Sequence, residues 1–214
     1  ITPIETTYTY DARGNLLKEI HKAGDYITYD YDSKDRMTVK VQYNQSGSAV
    51  YRTEYTYYDN DLVKEMLDYS VSGGAKTLYR YTYKEYDGLK RLTKLAEINT
   101  DTVPASVEGY AVNYTYDLND NVTEITYDSS LGTEVSGVKY VYENNRLKEV
   151  KVKIGSTYYL AKGYTYNLDG SVETVKDYYN FRSGGAVYML LTYTYDSFGR
   201  VASMVYTLEN DIVE

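Results

Sequence analysis

Cysteine is absent from this chain of 214 residues, so no disulfide framework, thiolate metal site or cysteine nucleophile is available to it. Its lone histidine is His21. Multi-histidine metal centres and Cys–His catalysis are thereby removed, and no Gly-x-Ser-x-Gly elbow exists to support a Ser-His-Asp triad. Tryptophan is missing, phenylalanine occurs twice and proline twice, as Pro3 and Pro104. No run approaches the ~18 consecutive apolar residues of a membrane helix. Positive charge is scarce as well. A net charge of −8 and a pI near 4.8 argue against nucleic acid, whose binding needs Lys and Arg at the phosphates, and against an anionic membrane surface. The absence of Met at Ile1 and of any leader segment predicts a piece of a longer protein.

Tyrosine is what the chain has instead: 31 residues. A tyrosine ring is large and apolar, but its hydroxyl needs a partner. The aromatics are therefore expected on a face that is packed yet close to water, in a thin or open sheet.

A single pattern recurs: Tyr-x-Tyr, an acidic or amide residue, a short polar turn, then an aliphatic residue. Its pairs are Tyr8 and Tyr10, Tyr29 and Tyr31, Tyr55 and Tyr57, Tyr114 and Tyr116, Tyr140 and Tyr142, Tyr164 and Tyr166, and Tyr193 and Tyr195. An eighth, irregular copy runs Tyr81-Thr82-Tyr83 into Tyr86-Asp87, with Arg91 and Leu92 beyond. Anchors at 10, 31, 57, 86, 116, 142, 166 and 195 are spaced by 21 to 30 residues, the size of a supersecondary unit. The approximate copies are 6–24, 25–50, 51–76, 77–109, 110–137, 138–160, 161–187 and 188–214.

Within a copy the two rings share one face of a strand and the residue between them points to the other, because strand side chains alternate. In Asp11-Ala12-Arg13-Gly14, Asn167-Leu168-Asp169-Gly170 and Asp196-Ser197-Phe198-Gly199, the Asx residue opens a type I turn and glycine supplies the positive φ that ends it. Asp35 and Asp120 replace glycine elsewhere. Lys90 fits that slot badly. Asn60-Asp61 and Asn144-Asn145 read as shorter, two-residue type I′ turns. Second strands follow at Met37 to Tyr43, Leu62 to Tyr69, Leu147 to Val152 and Val201 to Tyr206. Returns run through Ala23-Gly24-Asp25, Ser46-Gly47-Ser48, Ser72-Gly73-Gly74, Gly155-Ser156 and Ser183-Gly184-Gly185. The longest, Asn99 to Gly109, carries Pro104 and is the expected site of proteolytic nicking. The fold class is all-β: a meander of about sixteen antiparallel strands forming a long, twisted, spiralling open sheet, read as one continuous array.

Tyr195-Asp196-Ser197-Phe198-Gly199-Arg200-Val201 and Tyr10-Asp11-Ala12-Arg13-Gly14-Asn15-Leu16 resemble the YD (RHS) repeat, Tyr-Asp-x-x-Gly-Arg-[Leu/Val]. Arg36-Met37, Arg91-Leu92 and Arg146-Leu147 extend the resemblance over almost the whole chain. It implies a bacterial exported or cell-surface location, and a β-shell of the kind that encloses a toxic C-terminal domain. The spacings are longer than usual for that family, and no Asp-Pro-x-Gly-type core motif is present.

No catalytic residue and no cofactor is expected. His21 reads as a strand histidine, and the acids recur at turns where each has a local role. Asp30, Asp32 and Asp35, and likewise Asp117, Asn119, Asp120 and Asn121, gather oxygen ligands suited to calcium, but without EF-hand spacing; turn formation explains both groups. Charges inside strands, such as Lys64-Glu65, argue against a membrane barrel. Two functions remain: a structural segment of a shell or stalk, and a module whose fourteen paired tyrosines stack on glycan or cell-wall sugars. The expected partners are that glycan, or an enclosed domain of the parent protein. Further copies joining through edge strands are a third expectation.

Overall fold

A computed structural model describes residues 5–179 and 187–210. Strand order follows chain order throughout an open antiparallel sheet, as the meander predicts. The chain divides into two compact units between Ala111 and Val112. The first carries β1 (Thr6–Tyr10), β2 (Leu16–His21), β3 (Tyr26–Tyr31), β4 (Met37–Tyr43), β5 (Ala49–Tyr57), β6 (Val63–Ser72), β7 (Ala75–Tyr86) and β8 (Leu92–Ile98). The second carries β9 (Ala111–Tyr116), β10 (Val122–Tyr127), β11 (Val135–Glu143), β12 (Arg146–Ile154), β13 (Thr157–Tyr166), β14 (Val172–Tyr178), β15 (Val187–Tyr195) and β16 (Val201–Asn210). Among the described residues there is no α-helix. A 3-10 turn at Ser129–Leu131, unmarked by the repeat, joins β10 to β11. The Ser183-Gly184-Gly185 return lies outside the described residues.

The turns show why most copies place an aspartate after the anchor tyrosine. One carboxylate oxygen of Asp32 accepts the N–H groups of Lys34 at 2.8 Å and Arg36 at 3.0 Å, while the other binds the Arg36 guanidinium. Asp87 and Asp196 do the same with their own arginines, and Asp11 and Asp117 with asparagines. These bonds occupy Asp32 and Asp117, one carboxylate from each group suited to calcium, and Arg36 above all holds Asp32 below the usual carboxylate range.

The fourth residue of the turn is left-handed wherever it was expected: Gly14 (φ 91°), Gly170 (94°), Gly199 (75°), Asp35 (62°) and Asp120 (65°). Lys90 takes the same conformation at 66°, closing a regular turn through its N–H to the Asp87 carbonyl. Asn144 and Asn145 are both left-handed, as a two-residue hairpin requires. The third copy corrects the reading. Only Asp61 is left-handed there, and its N–H bonds to the Tyr58 carbonyl. The turn is full length, with Tyr58 in the aspartate's place. Because a side chain at left-handed φ costs energy that glycine avoids, Lys90→Gly is expected to stabilise the protein by up to about 1 kcal/mol, read from the urea midpoint.

All eight hairpins share a feature that the motif does not announce. The register slips by one residue beside the anchor tyrosine: Tyr10 faces Leu16 while Thr9 faces Lys18, leaving Leu17 extra. Thr38, Lys64, Thr93, Thr123, Lys148, Glu173 and Ala202 are the corresponding bulged residues. A bulge increases local twist. It also shifts the alternation, so that Leu16 and Glu19 both face the tyrosine side. Without it the aliphatic after the turn and the acid three residues on would point to opposite faces.

Burial is shallow. Among the described residues no large side chain is completely buried, in keeping with a tyrosine-rich sheet close to water. Val41, Leu78, Tyr81 and Ala96 are buried in the first unit and Tyr188 in the second. Asp68, also buried, is satisfied by the Thr53 hydroxyl at 2.7 Å and the Arg80 guanidinium at 2.7 Å.

Candidate functional site

The paired tyrosines were the candidate site. Tyr8 and Tyr10, on the first strand, are half exposed, at 50% and 59%. The other twelve are all partly buried: Tyr29, Tyr31, Tyr55 and Tyr57 in the first unit, and Tyr114, Tyr116, Tyr140, Tyr142, Tyr164, Tyr166, Tyr193 and Tyr195 in the second. The residue between the two rings is exposed in most copies, for example Asp30, Thr56, Thr115, Thr165 and Thr194. The predicted alternation is therefore present.

What the hydroxyls do is more specific. In several copies the anchor tyrosine reaches across to the preceding copy and donates to the carbonyl of the first residue after its turn. Tyr31 bonds to Leu16 at 2.9 Å and Tyr57 to Met37 at 2.5 Å. In the second unit Tyr166 bonds to Leu147 at 2.6 Å and Tyr195 to Val172 at 2.8 Å. Each acceptor carbonyl belongs to the residue just before a bulge, where the ladder is interrupted. The tyrosine hydroxyl thus supplies a bond at the place where regular strand pairing is broken.

The arginine of the motif completes this seam. The Arg36 guanidinium lies 4.7 Å from the centre of the Tyr57 ring, donates to the Tyr58 carbonyl at 3.1 Å and pairs with Asp61 at 2.9 Å. Arg146 lies 5.6 Å from the Tyr166 ring. In the first copy Asn15 replaces arginine and bonds to Asp35 at 2.7 Å. Asn121 likewise reaches Asn145, at 2.5 Å. One turn is tied to the next through the residue after its left-handed position.

The leading tyrosines have less uniform partners. Tyr29 donates to Glu19 at 2.9 Å, and burial, then this carboxylate, pushes its ionisation up. Burial also raises Tyr31, Tyr55, Tyr57, Tyr140, Tyr142 and Tyr166.

The fourth copy departs from the others. Following register back from the bulge, Tyr86 occupies the anchor position and Lys84 the position of the leading tyrosine. Tyr81 and Tyr83 point to the opposite face, with Glu65 and Glu85. The irregularity seen in the sequence is thus a change of face. The His21 Nδ1–H donates to the Asp25 carboxylate, 2.6 Å away, and the side chain remains 38% exposed. Its hydrogen bond to Asp25 raises its proton affinity.

No protein-family model matches the chain, and no curated protein matches it. Among solved structures, it is similar to a chain in the crystal structure of TcdB2-TccC3-Cdc42, with 12% identity and a TM-score of 0.37. It is also similar to one in TcdB2-TccC3, with 11% identity and a TM-score of 0.39. Both alignments cover 97% of this chain but only 14% of the other. A porin-like protein from Bacteroides uniformis aligns over 96% of this chain and 91% of its own, at 13% identity and a TM-score of 0.34.

Proposed function

We propose that the chain is a non-catalytic structural segment of a bacterial exported or cell-surface protein of the YD/RHS-repeat type, contributing hairpins to a β-shell or stalk. The observation that carries this reading is the repeated bond from an anchor tyrosine to the carbonyl behind the preceding turn, found at Tyr31, Tyr57, Tyr166 and Tyr195. It uses the Tyr, turn and aliphatic positions of the motif together, and joins one copy to its neighbour. A surface built to stack on sugars would leave those rings open and their hydroxyls facing the ligand. Here the anchor hydroxyls are turned inward to backbone, which favours scaffold over glycan platform.

Such an array is stabilised by nearest-neighbour contacts. Removing residues 188–214 is expected to leave a folded sheet of lower stability, with a proportionally smaller denaturant slope. Complete loss of the β-sheet circular dichroism on that deletion would sink the array reading. A glycan array run on the intact protein separates the sugar-binding alternative: saturable binding abolished by Tyr8→Ala or Tyr10→Ala, the two most exposed rings of the series, would favour that module instead.

A further inference from the structure

The face opposite the paired tyrosines contains a local exception to the repeat, and it forms an open pocket. The return from β8 to β9 folds over the strands beneath, held by its own bonds: Thr100 N–H to the Tyr79 carbonyl at 3.2 Å, and Glu108 N–H to the Ser106 hydroxyl at 3.1 Å. Under it lies a cavity of about 340 Å³, floored by β6, β7 and β8 and walled by Val103, Pro104 and Val107. Tyr81, Tyr83, Glu65, Glu85, Lys94 and Glu108 line the remainder. All of these residues belong to the first unit. The proline-bearing loop expected to invite proteolysis thus also borders a pocket.

The lining carries three carboxylates and one ammonium. Glu65 accepts the Tyr81 hydroxyl on one oxygen and the Thr56 hydroxyl on the other, each at 2.8 Å. Glu85 accepts Tyr83 at 3.0 Å, and Lys94 stands 3.8 Å away. Glu65 and Glu108 have no cation within ion-pair distance among the described residues. Tyr81 and Tyr83 border the pocket beside these carboxylates, and the loop adds short apolar side chains. A metal ion fits poorly, since no three acidic or histidine side chains converge on a point among the described residues.

We propose that this pocket binds an organic cation, an alkylammonium group carried on a short aliphatic chain. Carboxylates without a paired cation attract such a group electrostatically, and the Val103, Pro104 and Val107 side chains give its aliphatic part an apolar contact. The protein already uses the same chemistry internally: the Lys76 ammonium pairs with Glu54 while lying 4.3 Å from the centre of the Tyr69 ring. This site is independent of the array reading, because it is made where the repeat is broken.

Two sources of the ammonium, a free polyamine and a lysine side chain of a peptide, are distinguished by calorimetric titration with spermidine and with N-acetyl-lysine methylamide. The neutral N-acetyl-norleucine methylamide serves as the control. Saturable binding of at least one amine is expected, and none of the neutral analogue. Glu65→Gln combined with Glu108→Gln should weaken it at least tenfold, whereas Glu143→Gln in the second unit should not change it. Lys94→Gln removes a competing ammonium and should tighten binding several-fold, a gain that a misfolded variant could not produce. Absence of saturable binding by both amines overturns the proposal. So does binding that survives the double substitution, which would mark diffuse attraction to an acidic surface.

Discussion

Tyr57→Ala is expected to destabilise the protein by about 2–3 kcal/mol, roughly half to two-thirds of the cost of deleting a fully buried aromatic, because the ring is only partly buried. Three contacts vanish together: the ring's packing, its hydroxyl bond to Met37 and the face on which Arg36 lies. Tyr57→Phe isolates the hydroxyl. It keeps ring and guanidinium in place and should cost about 1 kcal/mol, the usual net worth of one intramolecular hydrogen bond. Tyr10→Phe is the matched control. Tyr10 occupies the same position in the first copy, its ring is 59% exposed and its hydroxyl makes no hydrogen bond among the described residues, so the change should be less than about 0.5 kcal/mol. Equal effects of the two phenylalanine substitutions in urea unfolding would show that the seam bond contributes nothing.

That contrast also marks how far the sequence could be read. Hairpins, strand alternation and left-handed turn positions are local properties, and each has local chemistry behind it. Met37 to Tyr43 is β4 to the residue, because polar turns bound it on both sides. Asp35 and Asp120 could be placed at positive φ since few other residues tolerate it.

The bulges could not be read in this way. Leu17, Thr38, Lys64, Glu173 and Ala202 share no size, charge or propensity, because the extra residue is required by the backbone. The bond from Tyr57 to Met37 spans 20 residues, and depends on register between copies. Nothing local marks the third turn as full length, because Tyr58 occupies an aspartate position and leaves the motif one residue short. Tyr81 and Tyr83 mimicked the repeating pair closely enough to hide their change of face. Only counting back from the bulge reveals it, and the pocket follows from that change.

The tyrosines should also govern stability at high pH. Burial and then the Glu65 carboxylate raise the ionisation of Tyr81. Tyr83 is raised first by its contact with Tyr58, then by burial and Glu85. Glu124 beside Tyr158 pushes that phenol up to about 12. In the unfolded chain each phenol titrates near pH 10. A group whose folded value lies above its unfolded value contributes stability that is complete below the unfolded value. The contribution is lost as pH rises through the folded one. The sheet should therefore hold to about pH 10 and then fail as pH approaches the raised values, as ionisation of one phenol breaks a seam and exposes the next. Tyrosinate absorbance followed alongside circular dichroism tests this. The folded protein should lag the same chain in concentrated urea, then rise steeply as the β signal disappears. Smooth titration near pH 10 with the sheet intact would mean that the hydroxyls are free in water, and that the seams are held by ring packing alone.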